Sequence, residues 1–312
     1  MTRANVFSFD GGGVRGVITA TWIDMLEKKL NTPLVDHADL ICGTSTGSII
    51  ALGVASGMAG EDIISLYYEK TPRIFPSFFT CTWSKIKRIP FQGFSSPMYS
   101  EEGLNSVLKE SFGDSRLGDL PVPVLIPTYC LKQGHPLVLD STKDEHKDIR
   151  CWEAARASSA APTFFPAKIL KISGENHILV DGGLSFNNPS ILGADKLSQI
   201  QGGGFPSIFS FGTGEVKGIT SEDFARNAGL LEWGTKLINV MLDANVSATD
   251  YYAQIMDYHY HRIQTTVAHF DYSIDNSRFA NLKRLHNIAK NEQPRIFQIA
   301  KKIEQTNERQ AR

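Results

Sequence analysis

The chain has 312 residues, 42% hydrophobic and 21% charged, the balance of a packed globular protein with one large core or two ordinary ones. Its 32 Lys+Arg stand against 33 Asp+Glu, so a net charge of -1 provides no general pull toward nucleic acid or anionic lipid, and any membrane attraction has to be local. Cys42, Cys81, Cys130 and Cys151 are far apart and form no C-x-x-C pair, which argues against a disulfide scaffold or a zinc site and for a reducing compartment.

Val6 to Phe9 predicts a short buried strand close behind Met1, leaving no room for the basic and apolar regions of a signal peptide. The strand runs into Asp10-Gly11-Gly12-Gly13-Val14-Arg15-Gly16. Val17, Ile18, Met25, Leu26 and Leu30 then recur at helical spacing before Pro33. Leu40 to Cys42 predicts a second strand entering Gly43-Thr44-Ser45-Thr46-Gly47, and the small, apolar Ser48 to Ser56 predicts a helix. Leu40 to Gly60 carries no charge, yet it is so rich in Gly, Ser and Thr that a buried strand, turn and helix fit it better than a membrane span. Glu61 to Lys70 reads as helix, and Ser100 caps another from Glu101 to about Phe112, with Gly113 as its stop. Between them, Lys70 to Ser100 holds no acidic residue and alternates basic side chains with Phe75, Phe78, Phe79, Trp83, Phe91 and Phe94.

Further strands are expected at Val122 to Leu131, Pro136 to Leu139, Ile178 to Val180 and Ile208 to Phe211, interleaved with helices at Ile149 to Arg156 and Ser190 to Gln201. Such alternation predicts an α/β fold whose sheet is covered on both faces. Beyond Gly214 the chain turns mainly helical. Glu222 to Asp257 and Ser277 to Ala311 are long amphipathic candidates, separated by strand-like His259 to Val267, with Pro294 starting a new helix. With no internal repeat or linker, residues 1–312 read as a single domain, its motifs in 6–214 and a mainly helical part in 215–312.

Ser45 between Gly43 and Gly47 has the G-x-S-x-G pattern of a nucleophile elbow, in which the glycines let strand and helix approach while the hydroxyl projects from the turn. Gly11, Gly12 and Gly13 place consecutive unhindered N–H groups after a strand, where they can converge on an acyl oxyanion. The two features together indicate a serine hydrolase. Gly11, Gly13 and Gly16 also match the G-x-G-x-x-G of a dinucleotide-binding module, with Asp36 and Asp39 near its acidic position. That alternative leaves Arg15, the elbow and the later acidic motif unexplained. A base is sought among His177, His259, His261, His269 and His286, none of which sits at a strand-end turn with small neighbours. Asp181 does: Ile178 to Val180 delivers it to a turn at Gly182 and Gly183. His259 and His261 alternate as strand residues do, with no cysteine nearby to complete a metal site. Lys283 with Arg284, and Lys301 with Lys302, read as solvated helix faces and not as a nucleic-acid surface.

The chain resembles the patatin-like phospholipase family through five motifs in family order: Asp10 to Gly16, Gly43 to Gly47, Ala157 to Pro162, Asp181 to Gly183 followed by Asn187-Asn188-Pro189, and Phe211 to Gly214. The resemblance implies a three-layer α/β/α fold with a mostly parallel central sheet. It implies a Ser/Asp dyad, with Ser45 as nucleophile, Asp181 as base, Gly12 and Gly13 as oxyanion donors, and Arg15 either ordering the loop or attracting a lipid phosphate. Neither cofactor nor metal is expected. The substrate would be a phospholipid or another acyl-ester lipid, with a carboxylesterase or acyltransferase on soluble substrates as the alternative. A raised Asp181 pKa is expected, because an ordinary carboxylate is a weak base. Arg73 to Phe94 reads equally as a peripheral membrane contact or as a loop closing the core. The cysteines and the missing signal peptide imply a cytoplasmic protein that meets the membrane when active. The family's bacterial effectors are switched on by cyclic nucleotides or by host proteins, and the minimal architecture is similar to the former, which implies a cyclic-nucleotide activator; a homo-oligomer is a further expectation.

Overall fold

The computed structural model describes residues 4–76, 96–216, 222–256, 259–268 and 273–310. The first half comprises β1 (Asn5–Phe9), α1 (Gly16–Leu30), β2 (Leu40–Gly43), α2 (Thr46–Ala55), α3 (Gly60–Ile74), α4 (Glu101–Phe112), β3 (Val124–Cys130) and β4 (His135–Asp140). Next come α5 (Asp144–Lys147), α6 (Cys151–Ser158), β5 (Lys168–Ile172), β6 (Glu175–Asp181), α7 (Gly183–Phe186), α8 (Ser190–Gln201) and β7 (Ser207–Phe211). The last third holds α9 (Glu222–Asn227), α10 (Leu230–Ile255), β8 (His259–Ile263), α11 (Phe279–Lys290) and α12 (Gln293–Gln310).

The strands form one sheet in the order β5-β6-β3-β2-β1-β7-β8, with β4 also paired to β3. From β3 through β8 the neighbours are parallel. The flank made by β4, β6 and β5 is antiparallel. Every residue of β1, β2 and β7 is buried, the polar Ser8 and Ser210 included, so these segments read as mainly apolar and not as half-exposed strands. One face presents Phe7, Phe9, Ile41, Phe209 and Phe211 to the layer that contains α1, α2 and α3. On the other, Val6, Leu40, Cys42 and Leu125 pack with Leu197 of α8. Phe7 and Phe209 stack across the β1–β7 pair at 5.3 Å between centroids.

Several elements differ from expectation. The helix after Ser45 begins at Thr46, two residues early, so the serine itself is its N-cap residue. The long helix expected over Glu222 to Asp257 divides at Ala228-Gly229 into α9 and α10, since glycine is a poor helix former. Strand β5 was not anticipated: its Lys-Ile-Leu-Lys-Ile sequence buries only Leu170 and Ile172, too short and too polar an alternation to stand out. The strand expected over His259 to Val267 is shorter, His259–Ile263, and it pairs in parallel with β7. The mainly helical last third therefore contributes an edge of the sheet. Pro294 is the second residue of α12, where its missing N–H costs no helical bond. Among the described residues no helix is long and apolar enough to cross a membrane.

Candidate active site

The elbow forms at the end of β2, where the chain reverses into α2 within a few residues. Ser45 sits at φ 54° and ψ -123°, a sparsely populated conformation for a residue with a side chain. Side chains at Gly43 or Gly47 would run into the backbone of Gly47 and of Phe9 respectively, so both glycines are required by the closeness of strand and helix. Ser158 braces the turn: it accepts the Ser45 N–H at 2.9 Å and donates its own hydroxyl to Pro127 O at 2.7 Å. The Ser48 hydroxyl donates to Ser45 O at 2.6 Å. The serine hydroxyl, held at the positive end of α2, donates to Asp181 Oδ2 at 2.8 Å.

Asp181 ends β6, which lies beside β3, so a carboxylate distant in sequence is delivered next to the elbow by strand pairing. Gly182 turns the chain where a side chain would meet Pro127 O, and the Gly183 N–H donates to Asp181 Oδ1 at 2.8 Å. Burial lifts the Asp181 carboxyl to about 6, against the opposing hydrogen bonds from Gly183 and Ser45.

The glycine loop follows β1. Gly11 N–H is taken by Asn187 O at 3.0 Å, and Val14 N–H by Ile274 O at 2.9 Å. The amides of Gly12 and Gly13 between them have no acceptor among the described residues, and both glycines line the cleft that holds Ser45 and Asp181. Gly13 has φ +59°, and a side chain there would collide with Ile274 O. Gly16 leaves room for the Tyr67 hydroxyl, which pairs with Thr46 Oγ1 at 2.5 Å. Arg15 is buried, and its guanidinium donates to Gly12 O at 3.2 Å and Gly214 O at 3.4 Å. Of its two expected roles, this geometry fits ordering of the loop.

Two contributors escaped sequence reading because they carry no motif. Arg262 on β8 donates to Asp10 Oδ2 at 2.5 Å and to Ser210 Oγ at 2.8 Å, and lies 3.4 Å from Asp250 Oδ2. Burial lifts Asp10 to about 6 although Arg262 pulls it down. For Arg262, burial is outweighed by Asp10, Tyr260 and Asp250, and its pKa is raised. A lone arginine in an otherwise strand-like segment was the available signal. Asn245 on α10 accepts the Asn187 N–H at 2.6 Å and donates to Ser185 O, fixing the turn after Asp181. Replacing Arg262 with Met leaves a buried carboxylate without its cation, and should lower unfolding free energy in urea by about 3–5 kcal/mol.

The cleft opens to solvent and is walled by Ile49, Leu66, Ile74, Phe75, Leu104, Phe164, Phe165, Ile238, Leu242 and Ile274. The mainly apolar lining suits an acyl chain, and Ser45 and Asp181 are among the residues that line the cleft. Asn187 Oδ1, buried and without a partner among the described residues, also faces it. None of the described histidines lines this cleft: His286 bonds Thr21, His177 lies by Cys130, and His261 packs on Phe209. His269 lies outside the described residues, as does most of the segment Arg73 to Phe94. His259 and His261 belong to no cluster able to hold a metal among the described residues. Asp39 accepts the Asn5 N–H at 2.8 Å, away from the glycine loop that a dinucleotide would need it to serve.

The patatin-like phospholipase family matches residues 7–192. Patatin-like protein 2 of Arabidopsis thaliana is 29% identical over 288 residues, covering 79% of this chain and 70% of that protein. A cGAMP-activated phospholipase of Escherichia coli (strain TW11681) is 33% identical over 205 residues, covering 61% of this chain and 55% of its own length. The chain thus spans little more than half of that relative. Among solved structures, VipD from Legionella pneumophila covers 96% of this chain and 67% of its own, with a TM-score of 0.52 at 11% identity, a likeness of fold.

Proposed function

We infer that this chain, which belongs to the patatin-like phospholipase family, hydrolyses fatty-acyl esters of phospholipids through Ser45 and Asp181. The observation that carries the reading is the 2.8 Å hydrogen bond from the Ser45 hydroxyl to a buried carboxylate, both lining a mainly apolar cleft. Asp181 takes the Ser45 proton as Oγ attacks the acyl carbonyl. The Gly12 and Gly13 amides receive the oxyanion, an interaction for which each donor contributes roughly 3–4 kcal/mol to the transition state. Collapse of the tetrahedral intermediate expels the lipid alcohol, which Asp181 protonates. The same carboxylate then draws a proton from water as it attacks the acyl-enzyme, freeing the fatty acid and restoring Ser45. A base held near 6 remains ionised at neutral pH yet is a better proton acceptor than an ordinary carboxylate.

Release of fatty acid from phospholipid vesicles, compared with turnover of short water-soluble esters, tests this reading. Preference for vesicles supports it. Turnover of soluble esters alone would assign the site to a carboxylesterase.

The finer reading for this chain is a membrane-degrading effector at the cytoplasmic face, and the E. coli relative's name supports a cyclic dinucleotide as its activator. Fatty-acid release that rises at least about tenfold on addition of cGAMP is the expected result; equal rates with and without it would remove the activator from the account.

A further inference from the structure

Helix α10 carries an apolar face that stands open to solvent. Leu237, Met241, Ala244, Ala248, Tyr251 and Ile255 are all exposed along it. Their spacings of 4, 3, 4, 3 and 4 are those of a coiled-coil seam. At 3.6 residues per turn they fall in a stripe about 80° wide. The series is symmetric about position 246: turned end for end, Leu237 meets Ile255, Met241 meets Tyr251 and Ala244 meets Ala248. Large side chains would therefore meet at both ends, and small ones at the middle, where two helices approach most closely.

Charge and area narrow the occupant. From Leu237 to Ile255 there is no Lys or Arg, whereas a helix lying on an anionic membrane flanks its apolar face with cations. The exposed neighbours Ser247, Tyr252, Gln254 and Met256 are uncharged as well. Six large side chains here are 45 to 64% exposed. At roughly 200 Å² for a large side chain, they leave on the order of 600 Å² in water, most of the ~800 Å² per partner that a specific interface buries.

We propose that this face of α10 pairs with the same face of a second copy of the chain, antiparallel about a two-fold axis near position 246. The contact is isologous and self-limiting, so it closes as a dimer. Ile238 and Leu242, next to the seam, line the cleft, and pairing braces that wall.

Sedimentation of the full chain reads the outcome as mass, independently of any reaction. A reversible dimer is expected across about 1–100 µM, and Ala248→Arg, a change at an exposed position, should raise the dissociation constant by more than about tenfold with an unaltered thermal melt. In a Cys81→Ser chain, oxidation of mixed Leu237→Cys and Ile255→Cys proteins should cross-link one variant to the other, with neither variant cross-linking to itself. A parent that stays monomeric at about 100 µM, a dimer indifferent to Ala248→Arg, or self-cross-linking of each variant would overturn the proposal. A monomeric parent that pellets with phosphatidylglycerol-containing vesicles, and no longer does so as Ala248→Arg, would overturn it in favour of a lipid surface.

Discussion

Ser45→Ala should lower kcat/KM for phospholipid by about 10⁴-fold or more, because the nucleophile and its base act as a unit and neither works alone. The fold should survive the change, since alanine at φ 54° carries the same backbone strain as serine. Ser45→Gly separates the two properties. Glycine reaches positive φ without a Cβ clash, so this variant should be equally inactive yet more stable by roughly 1 kcal/mol. Mass spectrometry after treatment with an alkyl fluorophosphonate checks the nucleophile directly: an adduct on the parent and on neither variant is expected. An adduct persisting on Ser45→Ala would move the chemistry to another residue.

Asp181→Asn should cost a comparable factor in rate and make the protein more stable. Its carboxyl has an ordinary value of 3.8 and is lifted by burial to about 6 in the folded chain. Between those values the folded chain holds a proton that the unfolded chain has released, so stability falls as pH rises through that window, and the penalty is complete above about 6. A displacement of that size is worth on the order of 3 kcal/mol. The Asn variant escapes the penalty, with an expected gain of about 1–3 kcal/mol at pH 8 that vanishes by pH 4, measured by urea unfolding at both. The parent's kcat/KM should fall tenfold per pH unit below about 6, as the base becomes protonated. A flat profile from pH 8 down to pH 5 would remove Asp181 from the role of base.

Much of this site was legible in the chain because its chemistry uses local motifs. An elbow needs its glycines within two residues of the serine, and an oxyanion loop needs consecutive unhindered amides, so Gly43, Ser45, Gly47 and the run Gly11 to Gly13 declare themselves by spacing, while the choice of Gly12 and Gly13 within that run came from the family resemblance. The mainly apolar β1, β2 and β7 were equally plain, since a strand covered on both faces exposes no residue to water and admits only small polar side chains such as Ser8 and Ser210. Strand β5 hid because only Leu170 and Ile172 of its five residues are buried.

Spacing along the chain selects Asp181 as a turn residue, but pairing of β6 with β3 is what brings its carboxylate within 2.8 Å of a hydroxyl 136 residues earlier. Burial at that meeting point, a property of the packed layers, then moves its pKa. The same holds for Arg262 and Asn245, which no pattern marks: Asp10, shut away from water, is paired with a cation, and which residue supplies it depends on the strand that lands beside it. Local backbone geometry can be written into neighbouring residues, whereas desolvation and long-range pairing exist only once the sheet has closed.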